Sequence, residues 1–157
     1  MSELIKVLLT AMAPISELRG AIPLAVGAYH WPIWQSYFVA VIGNIIPVIF
    51  ILWLLEPVSK FLCQHSKLMA RFFKWLFERT RLKHTQKFER WGAVALISFV
   101  AIPLPITGAW TGSVAAFVFG IPYKKSLVLI TSGVLIAGII VSLITTGTIS
   151  FLNFLIK

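Results

Sequence analysis

The sequence contains no aspartate, a single cysteine and only five acidic residues, all of which are glutamate. The lone Cys63 cannot form an internal disulfide, and no set of Cys, His and Glu residues has the spacing of a metal site. No Cys–His arrangement and no carboxylate pair suited to nucleophilic or acid–base catalysis can be found. We therefore expect that the protein is not an enzyme and that it holds neither a metal nor a cofactor.

Charge is also scarce, because only 12% of the residues are charged whereas 59% are hydrophobic. A typical soluble domain has about 25% charged residues. Three stretches, 20–55, 91–123 and 126–156, contain no Asp, Glu, Lys or Arg at all. Since a membrane-spanning helix needs only about 20 apolar residues, the sequence predicts an all-α integral membrane protein with one membrane domain, 1–157.

The basic residues are concentrated in one place. The net charge is +9, and nine of the fourteen Lys and Arg residues lie in 60–90, between two apolar regions. This placement follows the positive-inside rule for a cytoplasmic loop and favours a multi-pass plasma-membrane protein over a nucleic-acid-binding one. Within 56–90 the apolar residues recur at i, i+3 and i+4, which predicts an amphipathic helix in the cytoplasmic interface, in contact with membrane lipids.

Four apolar blocks flank this basic segment, namely 2–29 and 33–55 before it, and 91–123 and 126–154 after it. The blocks 33–55 and 126–154 have the length and composition of ordinary spanning helices. The other two blocks contain internal prolines and polar residues, so they need a different explanation.

Block 91–123 is too long for one crossing. As a single helix it would reach about 50 Å, whereas the hydrocarbon core is about 30 Å thick. Pro103 and Pro105 should break the helix in its middle, which leaves two limbs of about 18 Å each. Because neither limb can cross alone, we predict a re-entrant hairpin whose non-helical tip is buried in protein or lines a cavity.

Block 2–29 shows the same pattern around Pro14, with two limbs of about twelve residues. A re-entrant hairpin is again the prediction. The alternative is a single kinked spanning helix over 4–28.

The two halves, 1–55 and 91–157, resemble each other weakly. At an offset of 88, residues 18–21 lie over 106–109. At an offset of 90, Pro32, Ser36 and Gly43 lie over Pro122, Ser126 and Gly133. With the basic loop inside, the two hairpins would enter from opposite faces, so we predict an inverted repeat in which each unit is a hairpin plus a transmembrane helix.

Glu17 is the only acid at the tip of a predicted hairpin, and Arg19 follows two residues later. An ionisable residue inside the membrane is costly and is a functional candidate by default. Glu17 could carry a coupling proton or bind a cationic substrate, and Arg19 could neutralise Glu17 or hold an anionic headgroup. The structural alternative is that Glu17 caps the second limb and Arg19 satisfies carbonyl groups of the turn.

The second predicted tip offers free carbonyls, a hydroxyl and a helix N-terminus, which can bind ions or anionic groups. Asn44 is a buried amide that could join helices or line a polar path, and Trp110 could pack or form a substrate wall. The candidate substrate- or ion-binding residues are Glu17, Arg19, Gly20, Pro23, Asn44, Pro103, Pro105, Thr107, Gly108 and Trp110.

Two motifs carry a family resemblance. Residues 14–23, PISELRGAIP, and 103–112, PLPITGAWTG, resemble the two signatures of the putative small multi-drug export protein family. The resemblance covers nearly the whole chain and implies a small polytopic membrane protein.

A more distant resemblance is to the DedA membrane proteins, through residues 88–92 and the run that leads to Pro103. That resemblance implies movement of lipid carriers or proton-dependent transport. DedA proteins carry arginines around their second hairpin tip, where this chain has Val100 and Ile106. This departure argues against a shared substrate and leaves Arg19 as the only arginine at a tip.

Three functions remain open. The first is a secondary transporter, with a proton as coupling ion, that exports a small amphipathic or cationic compound. The second is a DedA-like flippase or scramblase of a phosphate-bearing lipid, and the third is a membrane scaffold that transports nothing. Since 157 residues enclose little volume, a homo-oligomer is also compatible with the sequence.

Overall fold

The computed structural model describes residues 2–68, 70–71, 74–75, 86–104 and 107–155. Throughout these ranges the regular structure is helical, and they contain no β-strand. The helices are α1 (Glu3–Met12), α2 (Glu17–Pro23), α3 (Ile33–His65), α4 (Gln86–Ala101), α5 (Ala109–Val118) and α6 (Tyr123–Leu155), and a π-helix (Leu24–Ala28) continues α2.

The helices α3 and α6 have 33 residues each, which corresponds to about 50 Å. Within them, Ile33–His65 and Tyr123–Phe151 have mean hydropathies of 2.6 and 2.7 in their most apolar windows. By length and composition they are two candidate membrane spans, as expected for a membrane protein.

The end of α3 differs from the sequence prediction. We expected the span to end at residue 55 and a separate amphipathic helix to begin near Pro57, but α3 continues to His65. The hydroxyl of Ser59 donates to the carbonyl of Glu56 at 2.8 Å, and Lys60 forms an ion pair with Glu56 at 2.8 Å. Pro57 therefore lies inside the helix, with a hydroxyl contact and an exposed ion pair in the turn that follows it. In the remaining basic segment, residues 67–68, 70–71, 74–75 and 86–90 are helical, and residues 69, 72–73 and 76–85 lie outside the described residues.

The other helices are short, and the breaks between them lie where the prolines predicted them. Helices α1 and α2 are separated by residues 13–16, contact each other and both contact α3. A Cβ on Gly20 of α2 would lie 2.7 Å from the Ser16 Cβ and 3.3 Å from the Thr10 Cγ2. Gly20 therefore lets the chain after the break lie close against α1.

Helices α4 and α5 are likewise interrupted between Ala101 and Ala109. The second limb ends at Val118, five residues before the predicted end at 123. Gly120 has a φ of +68°, a left-handed conformation that glycine adopts without the penalty of a Cβ, and it turns the chain towards α6.

Each long helix carries a glycine against the first short helix of its own half. A Cβ on Gly43 of α3 would lie 2.8 Å from the Cβ of Ala11, and one on Gly133 of α6 would lie 2.7 Å from the Cβ of Val100. In both cases a backbone carbonyl oxygen three residues before the contacted residue lies 3.0 Å away. Gly43 and Gly133, which are paired at an offset of 90 in the sequence, thus make similar contacts.

The two halves are packed into one core. Helix α3 contacts α6, α2 contacts α6, and α5 contacts α3, so the second short helix of each half lies against the long helix of the other. The hydroxyl of Tyr37 on α3 donates to the carbonyl of Leu135 on α6 at 3.1 Å. This arrangement brings the two helix interruptions together.

We predict that Gly133→Ala destabilises the protein by about 1–3 kcal/mol, because the added Cβ overlaps Val100 and overpacks the contact between α4 and α6. Gly43→Ala should act in the same direction. The matched control is Gly147→Ala in α6, where no atom lies within 4 Å of the added Cβ. It should be neutral or gain up to about 1 kcal/mol of helix propensity. Thermal unfolding of the purified variants in detergent measures the stability of all three. Equal stability of the Gly133→Ala and Gly147→Ala variants would contradict the close packing at Gly133.

Candidate functional site

The site is built where the first helix interruption meets the N-terminus of α5. Glu17 is the first residue of α2 and is buried, with 6% of its surface exposed. Its Oε2 accepts from the backbone N–H of Ala109 and its Oε1 from that of Trp110, both at 3.4 Å. The N–H groups of the first helical turn have no partner inside the helix and carry the positive end of the helix dipole. A carboxylate from one half of the chain therefore caps a helix of the other half.

Glu17 reaches this position through an uncommon backbone conformation. Its φ is +44°, in the left-handed region that non-glycine residues rarely adopt and that costs roughly 1–2 kcal/mol. Such conformations persist where the surroundings determine them and are concentrated at functional sites. The conformation places the carboxyl group of Glu17 next to the start of α5, at the junction of the two halves.

Gly108 makes room for the carboxylate. Its backbone is extended, with φ 162° and ψ −168°, so its conformation alone does not call for glycine. A Cβ at this position, however, would lie 2.7 Å from the Cδ of Glu17. Glycine is therefore needed here because of the close approach of Glu17.

Two further hydrogen bonds join the two interruptions. The guanidinium of Arg19 donates to the carbonyl of Thr107, and the indole Nε1 of Trp110 donates to the carbonyl of Met12 at 3.2 Å. Within the second interruption, the hydroxyl of Thr107 donates to the carbonyl of Ile102 at 2.8 Å. Polar backbone groups left without helical partners are thus satisfied across the junction.

A small cavity of about 10 Å³ lies at the junction, a volume close to the minimum for one water molecule. Asn44 of α3 lines it beside Glu17 and is 1% exposed. A buried amide is costly unless it is hydrogen-bonded, and the Glu17 carboxylate is the polar side chain next to it. The lining residues are Glu17, Leu18, Arg19, Asn44, Val100, Pro103, Ala109, Val134, Ala137 and Val141.

Comparison with known proteins identifies the family of the chain. The family described as putative small multi-drug export protein matches residues 17–140, which begin at Glu17, directly after the first helix interruption, and include the second. The chain belongs to this family. Neither the curated proteins nor the solved structures compared with the chain contain a match.

In this member of the export family, most of the residues proposed from the sequence meet at the junction. They are Glu17, Arg19, Asn44, Pro103, Thr107, Gly108 and Trp110. Gly20 contributes to the packing of α2 against α1 instead. Pro23 is exposed at the end of α2 and does not line the cavity. Pro105 lies outside the described residues.

The sequence did not identify every contributor to the site. The carbonyl of Met12 and the walls formed by Val100 and by Val134, Ala137 and Val141 of α6 were not among the candidates. The α6 residues recur at i, i+3 and i+7, a spacing that places them on one helix face. That pattern signals a packed face, but it does not indicate what the face packs against.

Among the described residues, no group of three or more His, Cys, Asp or Glu side chains could hold a metal ion. The site consists of one carboxylate, one guanidinium, one amide and backbone groups, and its walls are otherwise apolar. Such a set can bind a proton, a small cation or a polar headgroup.

We predict that Gly108→Ala destabilises the protein by about 1–3 kcal/mol, because the new Cβ displaces the Glu17 carboxylate and leaves buried N–H groups of α5 unpaired. In a Glu17→Ala background the same change should cost much less, since the overlapping carboxylate is already absent. A double-mutant cycle followed by thermal unfolding in detergent measures the coupling between the two positions. Additive effects of the two substitutions would show that Glu17 does not occupy the space beside Gly108.

Proposed function

We propose that the protein is a small secondary transporter in the plasma membrane that exports a small amphipathic or cationic compound in exchange for protons. The single observation that carries the proposal is the buried carboxylate of Glu17 at the junction of two interrupted helix pairs. Membership of an export-protein family supports the direction and the class of substrate.

The proposal includes two re-entrant helix pairs, α1–α2 and α4–α5, inserted from opposite faces of the membrane. Helices α1 and α5 have ten residues each, or about 15 Å, so neither can cross a hydrocarbon core of about 30 Å. The concentration of Lys and Arg in 60–90 favours a cytoplasmic position for the segment that joins the halves.

Three features support an inverted repeat. Gly43 and Gly133, paired at an offset of 90, make matching contacts with the first short helix of their own halves. The second short helix of each half contacts the long helix of the other. Arg19 and Thr107, paired at an offset of 88, are hydrogen-bonded to each other, and contact between equivalent positions is expected close to a pseudo-two-fold axis.

The proposed mechanism follows from competition for the Glu17 carboxylate. As an anion it accepts two N–H groups at the positive end of α5. A proton or a cationic substrate that neutralises the carboxylate weakens this cap, and the long 3.4 Å contacts make the cap easy to release. Release of α5 lets the two interruptions move apart.

Such a movement is required, because a cavity of about 10 Å³ is far too small for an organic cation. The substrate can only enter when the junction opens towards one side of the membrane. Proton binding and substrate binding at the same carboxylate then become mutually exclusive, which is the simplest route to exchange.

We predict that Glu17→Gln abolishes export driven by a pH gradient, because glutamine cannot exchange a proton. The assay is ethidium efflux from proteoliposomes with an imposed pH gradient, with ethidium as a cationic amphipathic probe. Glu56→Gln is the matched control, because Glu56 is exposed and its ion pair with Lys60 lies on the surface of α3. Full pH-driven efflux by Glu17→Gln, in protein that folds as well as the control, would contradict the proposal.

The same proteoliposomes separate the transporter from a lipid flippase. Fluorescent phospholipid analogues in the two leaflets report lipid flipping, through the fraction that an external reductant can quench. The proposal predicts pH-dependent ethidium efflux without accelerated flipping. Flipping that continues in Glu17→Gln, together with no ethidium efflux by the unmodified protein, would favour the flippase.

A further inference from the structure

Asn44 brings a polar side chain into the apolar interior of the long helix α3. It is buried, with 1% of its surface exposed, and it lines the small cavity of the junction beside Glu17. In α6, the position paired with it at an offset of 90 is Val134, which is fully buried and lines the same cavity. Because a valine fits the equivalent place, helix packing alone does not call for an amide at position 44.

The groups that contact Glu17 from elsewhere in the junction are hydrogen-bond donors. The backbone N–H groups of Ala109 and Trp110 donate to its carboxylate. Arg19, the charged side chain in the same cavity wall, also has donors and no acceptor. A protonated carboxyl group has an O–H of its own, which needs an acceptor when it is buried. Proton uptake at Glu17 therefore requires an acceptor at the junction.

Asn44 can supply this acceptor. A side-chain amide has two N–H donors and a carbonyl oxygen with two lone pairs. Apart from Glu17 itself, Arg19 and Asn44, the described side chains in the cavity wall are hydrocarbon. The backbone carbonyls of Thr107 and Met12 already accept hydrogen bonds across the junction. Asn44 is thus the one described side chain of the wall that can accept from a protonated Glu17.

Within the described part of the chain, Glu17 and Arg19 are the titratable side chains that line the cavity. Helices α4, α5 and α6 contribute only hydrocarbon side chains to its wall, and α3 contributes Asn44. The titratable residues of α1 lie towards its start, where Glu3 accepts from Trp31 and Lys6 lies over the ring of Tyr29. A response of Asn44 to pH at the junction therefore reports on Glu17.

We propose that Asn44 is a positioning residue for proton exchange, which keeps the Glu17 carboxyl group hydrogen-bonded to α3 in both protonation states. Its amide nitrogen donates to the carboxylate, and after proton uptake its amide oxygen accepts from the carboxyl O–H. Rotation of the amide about χ2 exchanges the two roles. The inference rests on the proposed function, because it requires that Glu17 takes up the proton. When the cap on α5 is released, Glu17 then stays attached to its own half of the chain.

The test uses the small number of asparagines. The chain has two, Asn44 and Asn153, so ¹⁵N labelling of the asparagine side-chain amide marks two sites. Solid-state NMR of the full chain in lipid bilayers, with the glutamate carboxyl carbons labelled with ¹³C, is recorded as the pH is varied across the protonation of Glu17. We expect the Asn44 amide nitrogen signal to shift together with the Glu17 carboxyl signal. In Glu17→Gln this shift should be lost, whereas the Asn153 signal, assigned with Asn153→Ser, should be the same in both proteins.

The two labels separate the inference from the proposed function. A Glu17 carboxyl signal that titrates while the Asn44 signal stays fixed would overturn the inference and leave the proposed function standing. A Glu17 signal that does not titrate would overturn both. The Glu17 signal itself is assigned by its loss in Glu17→Gln.

A transport measurement tests the same role without labels. Asn44→Leu keeps a side chain of similar size and removes both hydrogen-bonding functions. It should slow pH-driven ethidium efflux by about tenfold or more, because a buried O–H without an acceptor is costly. Ser36→Ala is the matched control, since it also removes a buried polar group from α3 but lies outside the junction. Equal efflux by the two variants, in protein that thermal unfolding shows to be folded, would overturn the proposal.

Discussion

The hydrogen bonds from the N-terminus of α5 to the Glu17 carboxylate join the two halves of this protein at their polar centre. An interrupted helix exposes backbone donors and acceptors, and in a lipid environment each unsatisfied group costs several kcal/mol. Here each half supplies what the other lacks. The first interruption provides a carboxylate and a guanidinium, and the second provides N–H groups and a carbonyl. Helix packing between the two halves brings these groups within reach of each other.

Close helix packing makes this contact geometrically available. Glycines at 43 and 133 let each long helix approach the first short helix of its half, and Gly108 leaves the space that Glu17 occupies. Small residues have this role in membrane proteins, where lipid and side chains are equally apolar and association depends on close contact and hydrogen bonding. The strained backbone of Glu17 is compatible with this view, because its cost is offset by the buried donors it satisfies.

The sequence predicted the helical class, the two long apolar helices and both interruptions, because proline position and segment length constrain them directly. It also singled out Glu17. Within block 2–29, this is the only acidic residue that does not lie near an end of the block. It did not predict that Glu17 caps α5 or that Gly108 is needed beside it. Those contacts join residues about ninety positions apart, and no local pattern encodes which two tips meet.

The end of α3 at His65 and the early end of α5 at Val118 were also missed. A proline is tolerated in the first turn of a helix and is costly in its interior, so Pro57 predicted a helix start, whereas it lies inside α3. In the same way, Gly120 is a stronger signal for the end of α5 than the run of apolar residues that continues past it.

The contact between the start of α2 and the start of α5 joins the two halves at the site, and disulfide cross-linking measures that contact most directly. Leu18 and Ala109 line the same small cavity, so Leu18→Cys and Ala109→Cys in a Cys63→Ser background should form an intramolecular disulfide on mild oxidation. A protease site inserted after residue 80 then reports the link, because the two halves stay joined after cleavage. A control pair of Leu18→Cys with Leu143→Cys, an exposed position of α6, should separate. Separation of the halves with the Leu18–Ala109 pair under the same oxidation would contradict the account.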